Sequence, residues 1–599
     1  MKKKFLFAAL TLLLISIFII LLIFIKVIRH SQETIAGLRK ERGPQEVEIS
    51  EIAIRSKNGW ELFVEKSSAR DIIFHKGKYY IATSGGIIIV AENGTVEKEL
   101  NTTNGLPENS YLQLLPFDAG ILALSAGGKI IRINADILFL YNMKNVGKIS
   151  GISKRDDDIY LAANRGVYLL REKTVRKLEN TEQVKMVKPF MNGITYGTIE
   201  GKVYISTPVF NDSITDIDVV NDIMESDGVL YIAGAHGLDI VKGGKREVNL
   251  QGEFALSLAE FKGKICCGTF DGRVIIDKSM QRVTIRGGRI IRLRVIEGNL
   301  FACTDEGVYR YENEKWSVFY KPSMDFPLQY ITALEKSGTE LLIGTFEDGC
   351  YTLKANRLRR LVIGNDVHEI NAIVNEGGSV FIATNSGLFV LNQKGTKKVD
   401  GLASHFVNSI CVYDKELIAG TSKGFGIVNL ANFSIKNFCS FHGLINNRVY
   451  AITQIGEKII AGTLGGISVF DGKIFKNITS ANSSLNSNWI NGLIATDKRV
   501  YIGTYGGGIS YLEKEGVKNI EGTETVEVNL HSIFYKKPYL FVGTCKSGLF
   551  VYDEEERKGK FLKGYFPLDN VTSILVDDAY FYVGTEQGLY RIKTRALQL

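Results

Sequence analysis

A strand, a tight turn ending in glycine and a second strand recur fourteen times between Tyr79 and Ile592, and no other feature restricts the fold as strongly. Copies read YYIATSGGIIIV at Tyr79, LYIAGAHGLDIV at Leu230, IIAGTLGGISVF at Ile459 and FYVGTEQGLYRI at Phe581. In the first half the turn glycines are Gly86, Gly128, Gly166, Gly201, Gly237, Gly272 and Gly307. In the second half they are Gly349, Gly387, Gly424, Gly466, Gly508, Gly548 and Gly588. Spacings of 35 to 42 residues suit one four-stranded antiparallel sheet per copy, the blade of a β-propeller. Glycine at the turn accepts positive φ without steric cost, and the Gly-Thr or Ala-Thr ahead of it permits close backbone approach. The units alternate with a period of two, which excludes helical solenoids of similar length.

Each blade buries its faces only against its neighbours, so the series must close into rings. Fourteen blades in one ring would leave a wide hole, whereas about four to eight is usual. The expected fold is all-β: two tandem seven-bladed propellers, at 59–321 and 322–599. The seam is expected near Lys321–Pro327, where two of the nine prolines cluster. Gly-Thr occurs in six motifs after the seam but in two before it.

Ahead of the repeats, Phe5 to Ile25 is an uncharged apolar run of 21 residues, which at about 1.5 Å per residue spans a bilayer core. No small-residue cleavage site follows, so an uncleaved signal anchor is expected, with residues 1–4 cytoplasmic. Lys2, Lys3 and Lys4 before the run point to export, which puts the repeats outside the cytoplasm, periplasmic or at the cell surface, on a single-pass inner-membrane anchor. Residues 26–58 then form a charged juxtamembrane stem, with a short helix ending by Gly43-Pro44.

The net charge of +8 gathers at this end. Residues 1–45 hold eight Lys/Arg against two Glu, and the remainder carries 65 basic against 63 acidic residues. A nearly neutral repeat region lacks the basic stripe of a nucleic-acid binder. The seven cysteines have no metal-ligand spacing, and buried reduced thiols are expected of them.

The full unit, an Asn-rich loop, a strand, a hairpin and then Gly-Thr-x-x-Gly with an apolar strand, is clearest in HGLINNRVYAITQIGEKIIAGTLGGISVF from His442. It resembles the two-component regulator propeller repeat. The family's Gly-Leu-Pro-x-Asn loop has a close match in NGLPENSY at Asn104, and looser ones in SSLNSNWI at Ser483 and FPLDNV at Phe566. The resemblance covers nearly all of 60–599 and implies an extracytoplasmic ligand-sensing domain of the type carried by hybrid sensor kinases. The chain reaches Leu599 directly after the last blade, with no immunoglobulin-like spacer or kinase, so any signalling output is expected through a separate protein.

In a propeller the turn between the second and third strands shares a face with the loop entering the blade, and ligands bind there. In the second half this face would gather the turn residues Glu347, Asp348, Asn385, Lys423, Tyr505, Lys546, Glu586 and Gln587. The entry loops would add His368, His405, His442, Asn447, Arg448, Asn488, Trp489, His531 and Asn570. The strongest binding candidates are Trp489, Tyr505, Arg448, Asn447, His442, His405, Lys423, Lys546 and Asn570. Trp489 in a mouth could stack on a sugar ring or serve as a core wedge. Loop Asn and His, by contrast, also stabilise their own backbone without any ligand. In the first half Arg165, Glu200, His236, Asp271, Asp305 and Glu306 occupy equivalent turns, where acidic residues ordinarily serve solubility.

No phosphate loop, nucleophile elbow, HExxH or dinucleotide fingerprint is present, and neither cofactor nor metal is expected. The YGGG run at Tyr505 precedes a strand rather than a helix, so it supplies turn glycines, not a phosphate cradle. The chain therefore reads as a non-enzymatic recognition or scaffold protein of a bacterial envelope, facing a saccharide or another envelope protein. Alternatives are a propeller lyase or glycosidase, which needs converging carboxylates, and an envelope assembly factor.

Overall fold

The computed structural model describes residues 44–54, 59–117, 120–276, 279–284 (backbone alone), 288–323, 325–364, 367–562 and 569–597. The anchor expected at 5–25 lies outside these residues, and among the described residues no helix is long and apolar enough to cross a membrane. The described strands form fourteen antiparallel sheets.

The first strand of each sheet lies beside the first strand of the next. The succession that begins with Ala69–His75 runs on to Ile290–Ile296, which lies against Ala69–His75 again. A second succession starts at Ile331–Ser337 and returns to it through Ser573–Val576. Both series thus close on themselves, as the sheets of a propeller do, and are called the first and second rings below. The connection between them runs from Tyr320 to Ile331.

The repeated Gly-Thr owes its form to two separate contacts. A Cβ on Gly344 would sit 2.5 Å from the Ile370 side chain of the next sheet, and one on Gly462 would meet Ile490 at the same distance. The following threonine fastens its own turn, since Thr345 Oγ1 donates to the Gly349 carbonyl at 2.9 Å and Thr463 Oγ1 to Gly466 at 2.8 Å. All fourteen turn glycines have φ between +75° and +139°. Apolar clusters fill the space between adjacent sheets. One of them joins Ile331, Ile343, Leu575 and Tyr582 across the closure of the second ring.

The N-terminal segment departs from the expected stem. Strand β1 (Gln45–Glu46) pairs with the outer strand Thr174–Glu179, and β2 (Glu48–Ala53) with the outer strand Ile137–Asn142. Two sheets of the first ring therefore have five strands. The segment continues into β3 (Glu61–Phe63), which pairs with Gly588–Lys593 and supplies the fourth strand of the last sheet. Residues 61–63, expected in the first propeller, therefore belong to the second ring. Leu62 and Phe63 fill apolar space that the last three strands leave open, a pairing that local sequence does not reveal.

Candidate ligand-binding mouths

In four sheets of the second ring a backbone bond holds the entry loop against the turn of the same sheet, as where Tyr505 N–H donates to the Trp489 carbonyl at 3.0 Å and Phe346 N–H to Tyr330 at 3.0 Å. In the second ring this brings the Trp489 and Tyr505 rings to 4.8 Å, both about two-fifths exposed. Lys546 interacts electrostatically with Tyr505 and pairs with Glu527 at 2.9 Å. Tyr330 and Phe346 form a second exposed pair at 5.2 Å.

The other candidates serve the backbone or stand apart. His442 Nδ1 accepts from the Cys439 N–H at 3.1 Å, and Asn447 Oδ1 accepts from Ser440 N–H at 2.8 Å. Arg448 N–H donates to Asn446 at 2.8 Å, Lys423 N–H donates to Thr421 at 3.1 Å, and His405 is exposed. Asn570 accepts from Asn529 at 2.6 Å and borders a small cleft shared with Pro107 and Glu108 of the first ring. His531 is not in an entry loop. It lies in the innermost strand Val528–Lys536 at φ +56°, within an irregular stretch of the ladder. It reaches the backbone of Asn408, three sheets away. Burial pushes it down to about 4, so it is neutral, and Nε2 has no hydrogen-bond partner.

The inner wall of the second ring is laced shut. At the start of six of the seven innermost strands a Thr or Asn bonds the carbonyl at the start of the next: Thr332 to Ile370 at 2.5 Å, Asn371 to Val407 at 2.8 Å and Asn408 to Val449 at 2.9 Å. Asn491 to Val528 at 2.8 Å, Asn529 to Val571 at 3.1 Å and Thr572 to Ile331 at 2.5 Å complete the set, with Tyr450 at the remaining position.

In the first ring the same positions hold Arg70, Leu112, Ser150, Lys185, Asn221, Leu256 and Ile291, and only Ser150 and Asn221 make the equivalent bond. All seven border a cavity of about 490 Å³, which the buried Asp222 also lines. Arg70, Lys185, Lys188, Arg289 and Arg292 line it, together with Leu112, Leu256, Ile291 and the Phe254–Phe270 pair at the rim. Arg289 is matched by Asp305 at 3.0 Å and Lys188 by the buried Asp222 at 3.4 Å. Arg70 finds the Ser110 hydroxyl at 2.8 Å, and Lys185 the Asn221 amide oxygen at 3.2 Å, both neutral acceptors. Burial pushes both cations below their ordinary pKa.

The first-ring turn residues do not form an acid–base pair. Glu200 pairs with Lys202 at 3.1 Å, Asp271 with Arg273 at 2.6 Å, Glu306 with Lys321 at 3.2 Å, and His236 with Asp218. The Arg165 carbonyl accepts from the Tyr168 hydroxyl.

With this geometry in view, the chain is similar in fold to PorZ, a bacterial surface component of the type-IX secretion system of Porphyromonas gingivalis, at 13% identity and a TM-score of 0.66, covering 89% of this chain and 87% of that one. It is also similar to an ancestral GH74 enzyme, at 12% identity and a TM-score of 0.67, covering 90% and 99%. The extracellular domain of a putative hybrid two component system of B. thetaiotaomicron matches at 15% identity, covering 92% and 83%, with a TM-score of 0.39. No family model and no curated protein matches the chain. At these identities the likeness is one of fold.

The cavity cations were absent from the sequence candidates, which came from loops and turns. Their signal is basic residues inside apolar innermost strands: SARDII at Ser68, VKMVK at Val184 and IIRLRV at Ile290.

Proposed function

We propose that the chain is a membrane-anchored recognition protein of a bacterial envelope, with two seven-bladed propellers held outside the cytoplasm. Its loop-bearing faces take up a ligand without transforming it. The observation that carries this reading is the first-ring cavity, a concave site of ligand size whose walls combine apolar surface with a few directed polar groups. The closed successions of seven sheets support the blade count. Recognition is favoured over lyase or glycosidase chemistry because the first-ring turn carboxylates Glu200, Asp271, Asp305 and Glu306 each pair with a cation rather than with one another.

Native mass spectrometry of the full-length protein, purified from its own membranes, tests the reading. A co-purifying small molecule, lost when Leu256 is changed to Glu, is the expected result. A stoichiometric protein partner with no small molecule would make the chain a scaffold, and cleavage products from incubated polysaccharides would make it an enzyme. Protease added to spheroplasts should cut the repeats; full protection would reverse the topology.

A further inference from the structure

Resting on the recognition reading, we infer that the first-ring cavity is a site for an organic anion. A carboxylate, sulfate or phosphate group lies among Arg70, Lys185 and Arg292, and an apolar portion lies against Leu256, Ile291 and the Phe254–Phe270 pair.

The charge balance of the inner wall is the first support. The first five residues of its innermost strands carry five cations, Arg70, Lys185, Lys188, Arg292 and Arg294, against two carboxylates, Asp71 and Asp222. Arg294 takes both Asp71 oxygens, at 2.8 and 2.9 Å, and Lys188 is the cation nearest Asp222, at 3.4 Å. Arg292 stands 3.9 Å from the already engaged Asp71. Arg70 and Lys185 hydrogen-bond neutral partners only, while Glu65 and Asp305 act on Arg70, and Asp222 on Lys185, from a distance. Holding cations out of water without counter-charge is costly, and a bound anion removes that cost.

The second support is what the first ring gives up. Where the second ring places Thr or Asn to bond the carbonyl that opens the next innermost strand, the first ring places Arg70 and Lys185, which reach the neighbouring sheets' Ser110 and Asn221 side chains instead. Two positions facing one cavity thus carry cations where the second ring uses neutral donors, a departure from the repeat that fits residues kept for a ligand. Leu112, Leu256 and Ile291 interrupt the same belt and give the cavity its apolar share. A fully hydrated inorganic ion would leave that surface unused, so the ligand is organic.

Isothermal titration of the full-length protein in amphipol, with naphthalene-2-sulfonate and its uncharged isostere naphthalene-2-sulfonamide as probes, tests the assignment. The sulfonate should bind, and the sulfonamide at least 10-fold more weakly. Lys185→Met and Arg70→Gln should each weaken the sulfonate at least 10-fold and flatten its salt dependence. Both variants should melt no lower than the parent, because each removes an uncompensated charge. Should one fail to fold, the other carries the same comparison. Equal binding of both probes, lost in Leu256→Asn, would overturn the anion while keeping a recognition cavity. Absence of binding by either probe at millimolar concentration, or sulfonate binding indifferent to both charge variants, would overturn the proposal.

Discussion

Arg294 donates two hydrogen bonds to Asp71, from Nε at 2.8 Å and Nη2 at 2.9 Å, and so joins the last sheet of the first ring to its first across 223 residues of sequence. Asp71 is fully buried and also accepts the Leu114 N–H of the second sheet at 2.9 Å. Burial alone would raise its pKa, but Arg294 and Arg292 outweigh it and hold the carboxyl low. Asp71→Ala strands a buried guanidinium and should cost about 3–5 kcal/mol. The double variant Asp71→Leu/Arg294→Met should recover most of that loss. Urea unfolding followed by first-ring fluorescence or exchange would measure both, and additive losses would refute the coupling.

The turn glycines are not equivalent to glycines elsewhere. A Cβ on Gly201 would lie 1.6 Å from the Ile217 carbonyl oxygen at φ +79°, whereas one on Gly243, at φ +55°, meets nothing within 4 Å. Gly243→Ala should therefore cost only the left-handed strain of about 1–2 kcal/mol. Gly201→Ala adds displacement of the neighbouring chain, for roughly 2–5 kcal/mol in all. Equal melting shifts for the two variants would contradict the close approach.

Phe63 lies before the first ring in sequence but packs in the second. It is 4% exposed, meets Phe326 edge-on at 5.0 Å, and has the Arg591 guanidinium 4.7 Å over its ring. Phe63→Ala should destabilise by about 3–5 kcal/mol. Hydrogen exchange should rise in 573–593 and remain unchanged in 111–142; the reverse distribution would assign β3 to the wrong ring.

Two buried groups of the second ring oppose each other in acid. His531 falls from 6.5 to about 4, so the unfolded chain binds the extra proton between those values and stability rises with pH through that window. Burial lifts Glu335 from 4.5 to about 7, so the folded chain binds the extra proton and stability falls as pH rises through that window. Each effect amounts to about 3 kcal/mol. In the parent the two slopes largely cancel between pH 4.5 and 6.5; relative to it, Glu335→Gln should gain stability as pH rises across that window and His531→Gln should lose it. Parallel pH profiles for all three proteins would reject the pairing of signs.

The rings were readable because Gly86 to Gly588 repeat one local solution: a glycine at positive φ, in eleven of the fourteen copies a threonine that fastens the turn, and a small residue ahead of it that lets the next sheet approach. All of that is encoded within a dozen residues. Glu61–Phe63 was misplaced because its partner, Gly588–Lys593, lies more than five hundred residues away and no local pattern marks the pairing. For the mouths, Trp489 and Tyr505 could be found from turn positions. His531 could not, since its distorted strand carries no sequence mark. Arg70, Lys185 and Arg292 were passed over because a single basic residue in an apolar strand reads as outward-facing until ring closure turns that face inward.

The route of β1, β2 and β3 also decides how the molecule would carry load. Tension applied ahead of Gln45 meets first the two-residue pairing on Thr174–Glu179, next the six-residue pairing on Ile137–Asn142, and only then the last sheet of the second ring. The weakest attachment stands foremost and the next is longer, so a pull would lengthen the tether in stages before either closed ring is strained. Under load the segment would thus give way in steps ahead of the two rings.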